Sequence, residues 1–405
     1  MADATASMDG NGRAAAMPAQ RVSTGHAATA VVVSEASADA LAKYAAFCGQ
    51  ALHAPAQGAH WARHWTRSVN ADALIATLSV DQKPVLALAL EVVRAGPFRI
   101  ARFMGGRHAN GNFSAADRAW LGKADCAAIR SLFDAIAAAR PDIDVLALQR
   151  LASELDGAPN PFMALSGFTS PNVSLAADLD GGFDAVLDRA SGRRKRKKHR
   201  SQIRKFEAAG GFRRVEATTL EQVGAFLDAF FSMKEQRLRR MGITDAFRDP
   251  DVRRFFHSLF TDALHRQPPS FVLHGLEVDG RLRAVTGTSV CGDRLICEFA
   301  AISEDELTPA SPGEFLFFGN IEEACARGFR LYDFSVGDER YKREWCNLET
   351  RHRDVLVPLT TKGRVLALTL HGCARVTALV KNSPVVWRLT KALRRKAAGK
   401  SCAQE

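Results

Sequence analysis

One order of elements is written into this chain twice: strands joined as hairpins, then a helix, then a further apolar strand. In the first pass, helical spacing over 38–50 and 59–69 leads into the apolar runs Ala73–Val80 and Val85–Val93, separated by the turn Asp81-Gln82-Lys83-Pro84. A third run, Ile100–Met104, stops at Gly105-Gly106. A helix is predicted from Ser114 to Ala139, because Ser114 with Asp117 three residues on has the form of a capping box. Pro141-Asp142 then leads into the buried strand Val145–Leu148. In the second pass a basic helix ends at Gly210-Gly211, and Phe212–Ala217 reads as a strand. Helices near 219–241 and 250–265 precede three predicted strands, Phe271–Val278, Leu282–Val290 and Leu295–Ile302. Asp279-Gly280 between the first two is a hairpin signal. A helix follows from Ser311-Pro312-Gly313 to about Arg327, stopped by Gly328, and Leu331–Val336 is its return strand. Such a duplication calls for an α+β fold of two similar lobes, with mixed, mostly antiparallel sheets flanked by helices.

The boundaries that follow are a disordered leader over 1–30, a first lobe over 31–165, a second over 166–360 and a basic helical tail over 361–405. The leader is rich in Ala, Gly, Ser and Thr without apolar periodicity. Apolar residues make up 47% of the 405, enough for real cores, and no run approaches the roughly 18 apolar residues of a membrane span. Asp3 and Asp9 stand where a secretory leader would be basic, so the expected location is the cytoplasm, or the periphery of the inner membrane. The eight cysteines form no CxxC pair, and His60 and His64, four apart, lack the HExxH pattern, so no metal is expected.

Charge is unevenly placed. The chain carries +11, but Arg193–Lys205 and Thr361–Glu405 each hold +9, which leaves −7 for the rest. A body of slight negative charge with two basic segments suits contact with tRNA or an anionic membrane surface through Arg193, Arg194, Lys195, Arg196, Lys197, Lys198 and Arg200. A solvated helix face is the plainer alternative.

Chemistry concentrates late in the chain. Pro312 sits in a first helical turn and Gly313 leaves the backbone unshielded, so the N–H groups of Gly313, Glu314 and Phe315, with Ser311 and Pro312 before them, are expected to cradle an anion such as a diphosphate. Glu298 alternates with the apolar residues of its strand, which makes it either a general base or a solvent-facing carboxylate. After the next strand come Asp333, Asp338, Glu339, Tyr341 and Lys342, acids, a phenol and an amine at a strand's C-terminal end. Asp338, Tyr341 and Lys342 would share a face if a helix begins there.

The stretch RRKRKKHRSQIRKFEAAGG, a hairpin, SPGEFLF and LYDFSVGDERYKREW, in that order, resembles the BioF2-like acetyltransferase family. That family includes the CelD/BcsL-type proteins associated with cellulose biosynthesis and belongs to the Gcn5-related N-acetyltransferase (GNAT) superfamily. The resemblance spans about 160–358. It implies two tandem GNAT-like lobes of the acyl-CoA N-acyltransferase fold and transfer of an acyl group, acetyl first among them, from acyl-CoA to an amine or hydroxyl acceptor, in exopolysaccharide or cellulose biosynthesis. Its motifs map onto Ser311, Pro312 and Gly313 and onto Asp333, Gly337, Asp338, Glu339, Tyr341, Lys342 and Trp345; taken with the reading of the residues above, Ser311, Pro312, Gly313, Glu314 and Phe315 are expected at the donor, Asp333, Glu339, Lys342 and Trp345 at the substrate, and Glu298, Tyr341 and Asp338 in catalysis as base, acid and partner. Acetyl-CoA-dependent members carry Gln/Arg-x-x-Gly-x-Gly/Ala at the pyrophosphate loop; this chain has one Gly and adds Glu314. Two other readings follow: an aminoacyl-tRNA-dependent transferase like the Fem-type peptidyltransferases, which share the duplicated fold, and a non-catalytic accessory protein of an envelope or polysaccharide complex.

Overall fold

The computed structural model describes residues 20–22 and 28–382, with side chains described over 28–373. Most of the predicted leader, and the tail beyond 382 with Pro384, lie outside the described residues.

The first lobe runs β1 (Gln20–Val22), β2 (Thr29–Glu35), α1 (Ala38–Cys48), α2 (Ala59–Ser68), β3 (Ala73–Val80), β4 (Lys83–Ala95), β5 (Phe98–Phe103), α3 (Cys126–Ala139) and β6 (Val145–Leu151). The second runs β7 (Phe168–Asp178), α4 (Gly182–Arg189), α5 (Gly192–Ala208), β8 (Phe212–Glu216), α6 (Leu220–Arg240), α7 (Pro250–Ala263), β9 (Phe271–Val278), β10 (Arg281–Cys291), β11 (Arg294–Ile302), α8 (Pro312–Ala326), β12 (Leu331–Val336), β13 (Leu348–Pro358) and α9 (Thr361–Asn382). The expectation of two similar lobes holds: β2-β3-β4-β5-β6 and β9-β10-β11-β12 are both antiparallel until the last pair, which is parallel. One sheet joins them in the order β1-β2-β3-β4-β5-β6-β13-β7-β12-β11-β10-β9-β8, with β13 hydrogen-bonded to β6 of one lobe and β7 of the other.

Local sequence accounts for the joints. Asp81-Gln82 and Asp279-Gly280 all have positive φ, the conformation that a two-residue hairpin turn requires, so β4 starts at Lys83, two residues before the predicted run. The predicted single helix over 114–139 is instead a two-residue strand at Ala115–Ala116, one turn at Arg118–Leu121, and α3. Two caps split it: Asp117 accepts from the N–H of Trp120, and Asp125 from that of Ala128. Strands β7 and β13 had no sequence assignment, because their polar residues break the apolar run, and β2 had none because its start lies inside the span assigned to the leader.

The lobes share a core. Trp61 and Trp65 of α2 pack edge-on against Phe255 of α7, each with ring centroids 4.9 Å apart, and Phe271 of β9 lies behind them. On the same seam His60 and His64 both face Asp262 of α7, at 2.8 and 3.6 Å, the arrangement of a half-buried helix face. No helix among the described residues is long and apolar enough to cross a membrane. The basic helix α9 lies on the sheet at β6, β7 and β13, while Val365 and Leu368 face outward.

Candidate active site

Each parallel pair holds for three residues and then splays: Ile100–Arg102 with Val145–Ala147 in the first lobe, Arg294–Ile296 with Leu331–Asp333 in the second. Asn112 plugs the first gap. It is buried, its N–H donates to Arg150 O, its Nδ2 donates to Gln149 O and its Oδ1 accepts from Gln57. The second gap is open on both sides, and a chamber stands on each.

The first chamber, about 260 Å³, is lined by β10, β11, the start of α8 and the single turn Arg340–Arg343, and includes Ser311, Gly313, Glu314, Tyr341 and Trp345. The second, about 200 Å³, is lined by Glu298, Phe334, Glu339, Tyr341 and Lys342, by Lys234 of α6, and by Arg107, His108 and Asn110 from the first lobe. Ala300 and Tyr341 line both, so the two chambers meet at the splay.

Glu298 stands at the break in the β10–β11 ladder, where Gly287 pairs with Phe299 and Thr288 with Cys297, so the residue between them is unmatched. That bulge aims its carboxylate into the second chamber. Oε1 accepts from Ser289 Oγ at 2.6 Å, yet burial, with a lesser push from Asp333, raises its pKa to about 7. The carboxylate therefore faces the chamber, which sets aside the solvent-facing reading of Glu298. The Tyr341 ring stacks on Phe317 at 5.6 Å, and burial raises its pKa, which keeps the phenol protonated.

The start of α8 differs from the expected cradle. The N–H groups of Glu314 and Phe315 donate to Ser311 O at 3.1 and 3.2 Å, so of the three N–H groups only that of Gly313 is without a carbonyl partner among the described residues. Ser311 adopts φ 58, which turns its carbonyl back into the helix. Phe315 is a core residue against Phe206 and Phe212, and Pro312 is buried; neither lines the chamber. Gly313 is required by packing, since a Cβ there would stand 2.7 Å from Ile302 Cγ2. Glu314 adds no free charge. Lys198 of α5 donates to it and Lys195 lies 3.7 Å away. Lys195 is buried over the Trp345 ring at 3.7 Å, its Nζ without a hydrogen bond, and burial lowers its pKa.

Two further placements, of Asp338 and Asp333, correct the sequence reading, and that of Lys342 sets which chamber it lines. Asp338 lies outside the four-residue turn and pairs with Arg343 at 2.5 Å, so it shares no face with Tyr341. Lys342 turns away from the first chamber, donating to Val336 O at 2.9 Å and pairing with Glu339 at 3.0 Å. Gly337, at φ 134, allows that close approach, since a Cβ would stand 2.5 Å from Glu339 Oε2. Asp333 lines neither chamber. It is held by Arg294 at 3.3 Å and accepts the N–H of Ser335 at 2.7 Å, which anchors the strand at the point of splay. In the basic run, Arg196 pairs with Asp184 and Asp188, and Arg194 reaches Glu344 at 4.0 Å; acids from other elements balance part of the charge. Sequence reading missed Arg107, His108 and Lys234. The signal for the first two was Gly105-Gly106, a strand end followed by polar residues; Lys234 carried none, being one cation among several on α6.

Comparison with known proteins agrees with this geometry. Residues 193–343 match the family model described as Acetyltransferase (GNAT) domain. The match lies in the second lobe, and the first lobe repeats that lobe's strand order. Among solved structures, FemX is similar with a TM-score of 0.54 at 12% identity over 78% of this chain and 96% of that one, a likeness of fold. L-PGS from Bacillus licheniformis gives 0.49 at 11% identity over 86% and 98% of the two chains. A tandem GNAT protein from the clavulanic acid biosynthesis pathway gives 0.44 at 13% over 82% and 99%. No curated protein matches in sequence. The family match covers the elements from α5 through the Tyr341 turn, and so contains both chambers' second-lobe walls except Trp345.

Proposed function

We propose that the protein is an acyltransferase that moves an acyl group from acyl-CoA, entering the first chamber, to an amine in the second. The observation that carries this reading is the meeting of two chambers at one splay, with Glu298 on one side and Tyr341 at the junction. Glu298 takes one proton of the acceptor ammonium, the amine nitrogen bonds to the acyl carbon, the C–S bond breaks, Tyr341 donates its proton to the departing thiolate, and the second proton shed by the nitrogen as the amide forms restores the Tyr341 phenol. Lys195, buried without a hydrogen bond beside the start of α8, fits the phosphate end of such a donor, together with the Gly313 N–H. The resemblance at Ser311-Pro312-Gly313 and Asp333–Lys342 supports acetyl as the acyl group, and a place in exopolysaccharide or cellulose biosynthesis rests on that resemblance.

Tyr341→Phe is expected to cut turnover by about 10²-fold, the usual scale for a lost general acid, with little change in melting temperature, since the ring still stacks on Phe317. Full turnover in that variant, measured by thiol release, would make Tyr341 a packing residue and reassign the acid.

One observation favours a second reading, transfer from aminoacyl-tRNA. Arg193, Lys197, Arg200 and Arg204 are exposed, form no ion pair among the described residues, and at spacings of four and three make one stripe along α5, a helix that also holds Glu314 of the first chamber's wall through Lys195 and Lys198. Replacing all four with Gln is expected to weaken tRNA binding and flatten its salt dependence. Thermal-shift titrations of acetyl-CoA against charged tRNA separate the readings, because a ligand at 100 Kd adds about 2.7 kcal/mol. Stabilisation by the tRNA alone would replace the acyl-CoA reading.

A further inference from the structure

The second chamber holds more positive charge than its own carboxylates balance. Lys342 is matched by Glu339. Lys234 and Arg107 have no carboxylate within ion-pair distance among the described residues, and Lys234 is half-buried. Among the described residues its one hydrogen-bond partner is the carbonyl of Ala300, at 3.4 Å, so the ammonium stands at the junction of the chambers. Burying a cation without a counter-charge is costly, and Lys234 accordingly has its pKa lowered by burial. A ligand that brings an anion offsets that cost. The other walls are aromatic: Phe247, Phe256 and Phe334.

Resting on the acyl-transfer reading, we propose that the acceptor is an amino carboxylate with an apolar side chain, whose carboxylate docks on Lys234 and Arg107 while its amine faces Glu298. The chamber fixes how far apart the two groups stand. At about 200 Å³ it holds a molecule of amino-acid size, and base and ammonium line the same small space, so amine and anion must be a few bonds apart. The aromatic walls take the side chain. Arg107 comes from the loop after β5, so the first lobe, whose own gap is plugged, contributes to substrate choice in the second.

The test compares phenylalanine, phenylalaninamide and phenethylamine as acceptors with acetyl-CoA, and the phosphonate analogue of phenylalanine to separate carboxylate from other anions. Phenylalanine is expected to exceed the amide and the amine by about tenfold or more in kcat/KM, mostly through KM, as loss of a charge-assisted contact implies. The phosphonate is expected to fall below phenylalanine; a phosphonate that does better makes the anion phosphoryl and overturns the carboxylate assignment. Lys234→Met is expected to bring the acid-to-amide ratio near one, and Lys234→Arg to restore part of it. Equal losses for acid and amide in Lys234→Met would place Lys234 on the acyl carbonyl or the leaving thiolate and overturn the subsite. Calorimetry with 3-phenylpropionate, which has no amine to acylate, gives a readout apart from turnover. Binding that is lost in Lys234→Met, with no transfer to any amine, would keep the subsite and remove the acyl-transfer reading. Transfer to neutral amines as fast as to phenylalanine would keep that reading and remove the subsite. No binding and no transfer would overturn both.

Discussion

Glu298→Gln is expected to lower turnover by about 10²- to 10⁴-fold, the range for loss of a general base, while leaving the fold intact. The wild-type rate should rise with pH through about 7, where Glu298 ionises, and then level off. The variant should lose that limb. Stability should move the other way. A carboxyl whose folded pKa is raised above its ordinary 4.5 gives its stabilisation below that value and loses it as pH rises through 7, because the ionised form is the one that burial penalises. Glutamine carries no charge, so above pH 7 the variant should melt at the wild-type temperature or higher. A variant with wild-type turnover, or with a rate–pH profile unchanged in shape, would remove Glu298 from the chemistry. A lower melting temperature at pH 8 would show instead that its carboxylate serves the bulge, through its bond to Ser289.

How much of this could be read from the sequence differs by kind of feature. The hairpins and the two return strands were legible because side-chain alternation and the Asp279-Gly280 turn are local signals. Glu298 was legible as an anomaly, a carboxylate on an apolar strand, but not as a bulge residue. The extra residue exists only relative to the partner strand β10, and no pattern within β11 marks it. The failures share one cause. Asp338 next to Tyr341 looked like a helix face until its partner proved to be Arg343 at the end of the same short turn, and Glu314 looked like an unbalanced charge until Lys198 arrived from elsewhere in the fold. A charged residue's role is fixed by its partners, and partners 116 positions apart, as Lys198 and Glu314 are, leave no trace in spacing. Lys234 was invisible for the same reason: it is defined by a carboxylate that no residue near it in sequence or, among the described residues, in space supplies at ion-pair distance.

Trp61→Ala is expected to destabilise the protein by about 3–5 kcal/mol, the usual cost of removing a large buried aromatic side chain. Trp61 is 1% exposed and touches both lobes: it packs edge-on against Phe255 and lies 6.3 Å from Phe271 of the second, and its Nε1 donates to Met104 O of the first at 3.1 Å. Gly105 exists to let it in, since a Cβ there would stand 2.8 Å from the indole. The cavity would open at the seam between the lobes rather than inside either. The effect should therefore reach the second chamber, because the same loop continues to Arg107 and His108. Urea unfolding and steady-state kinetics on the same preparation decide the point. The midpoint should fall, and KM for the acceptor should rise more than kcat falls, since Glu298 and Tyr341 are held by the second lobe alone. A loss below about 1 kcal/mol would mean that the site collapses to fill the void. A large loss of stability with an unchanged acceptor KM would mean that the loop at Arg107 is held by contacts other than Trp61, such as the bond from Arg150 Nη1 to Arg107 O at 2.8 Å.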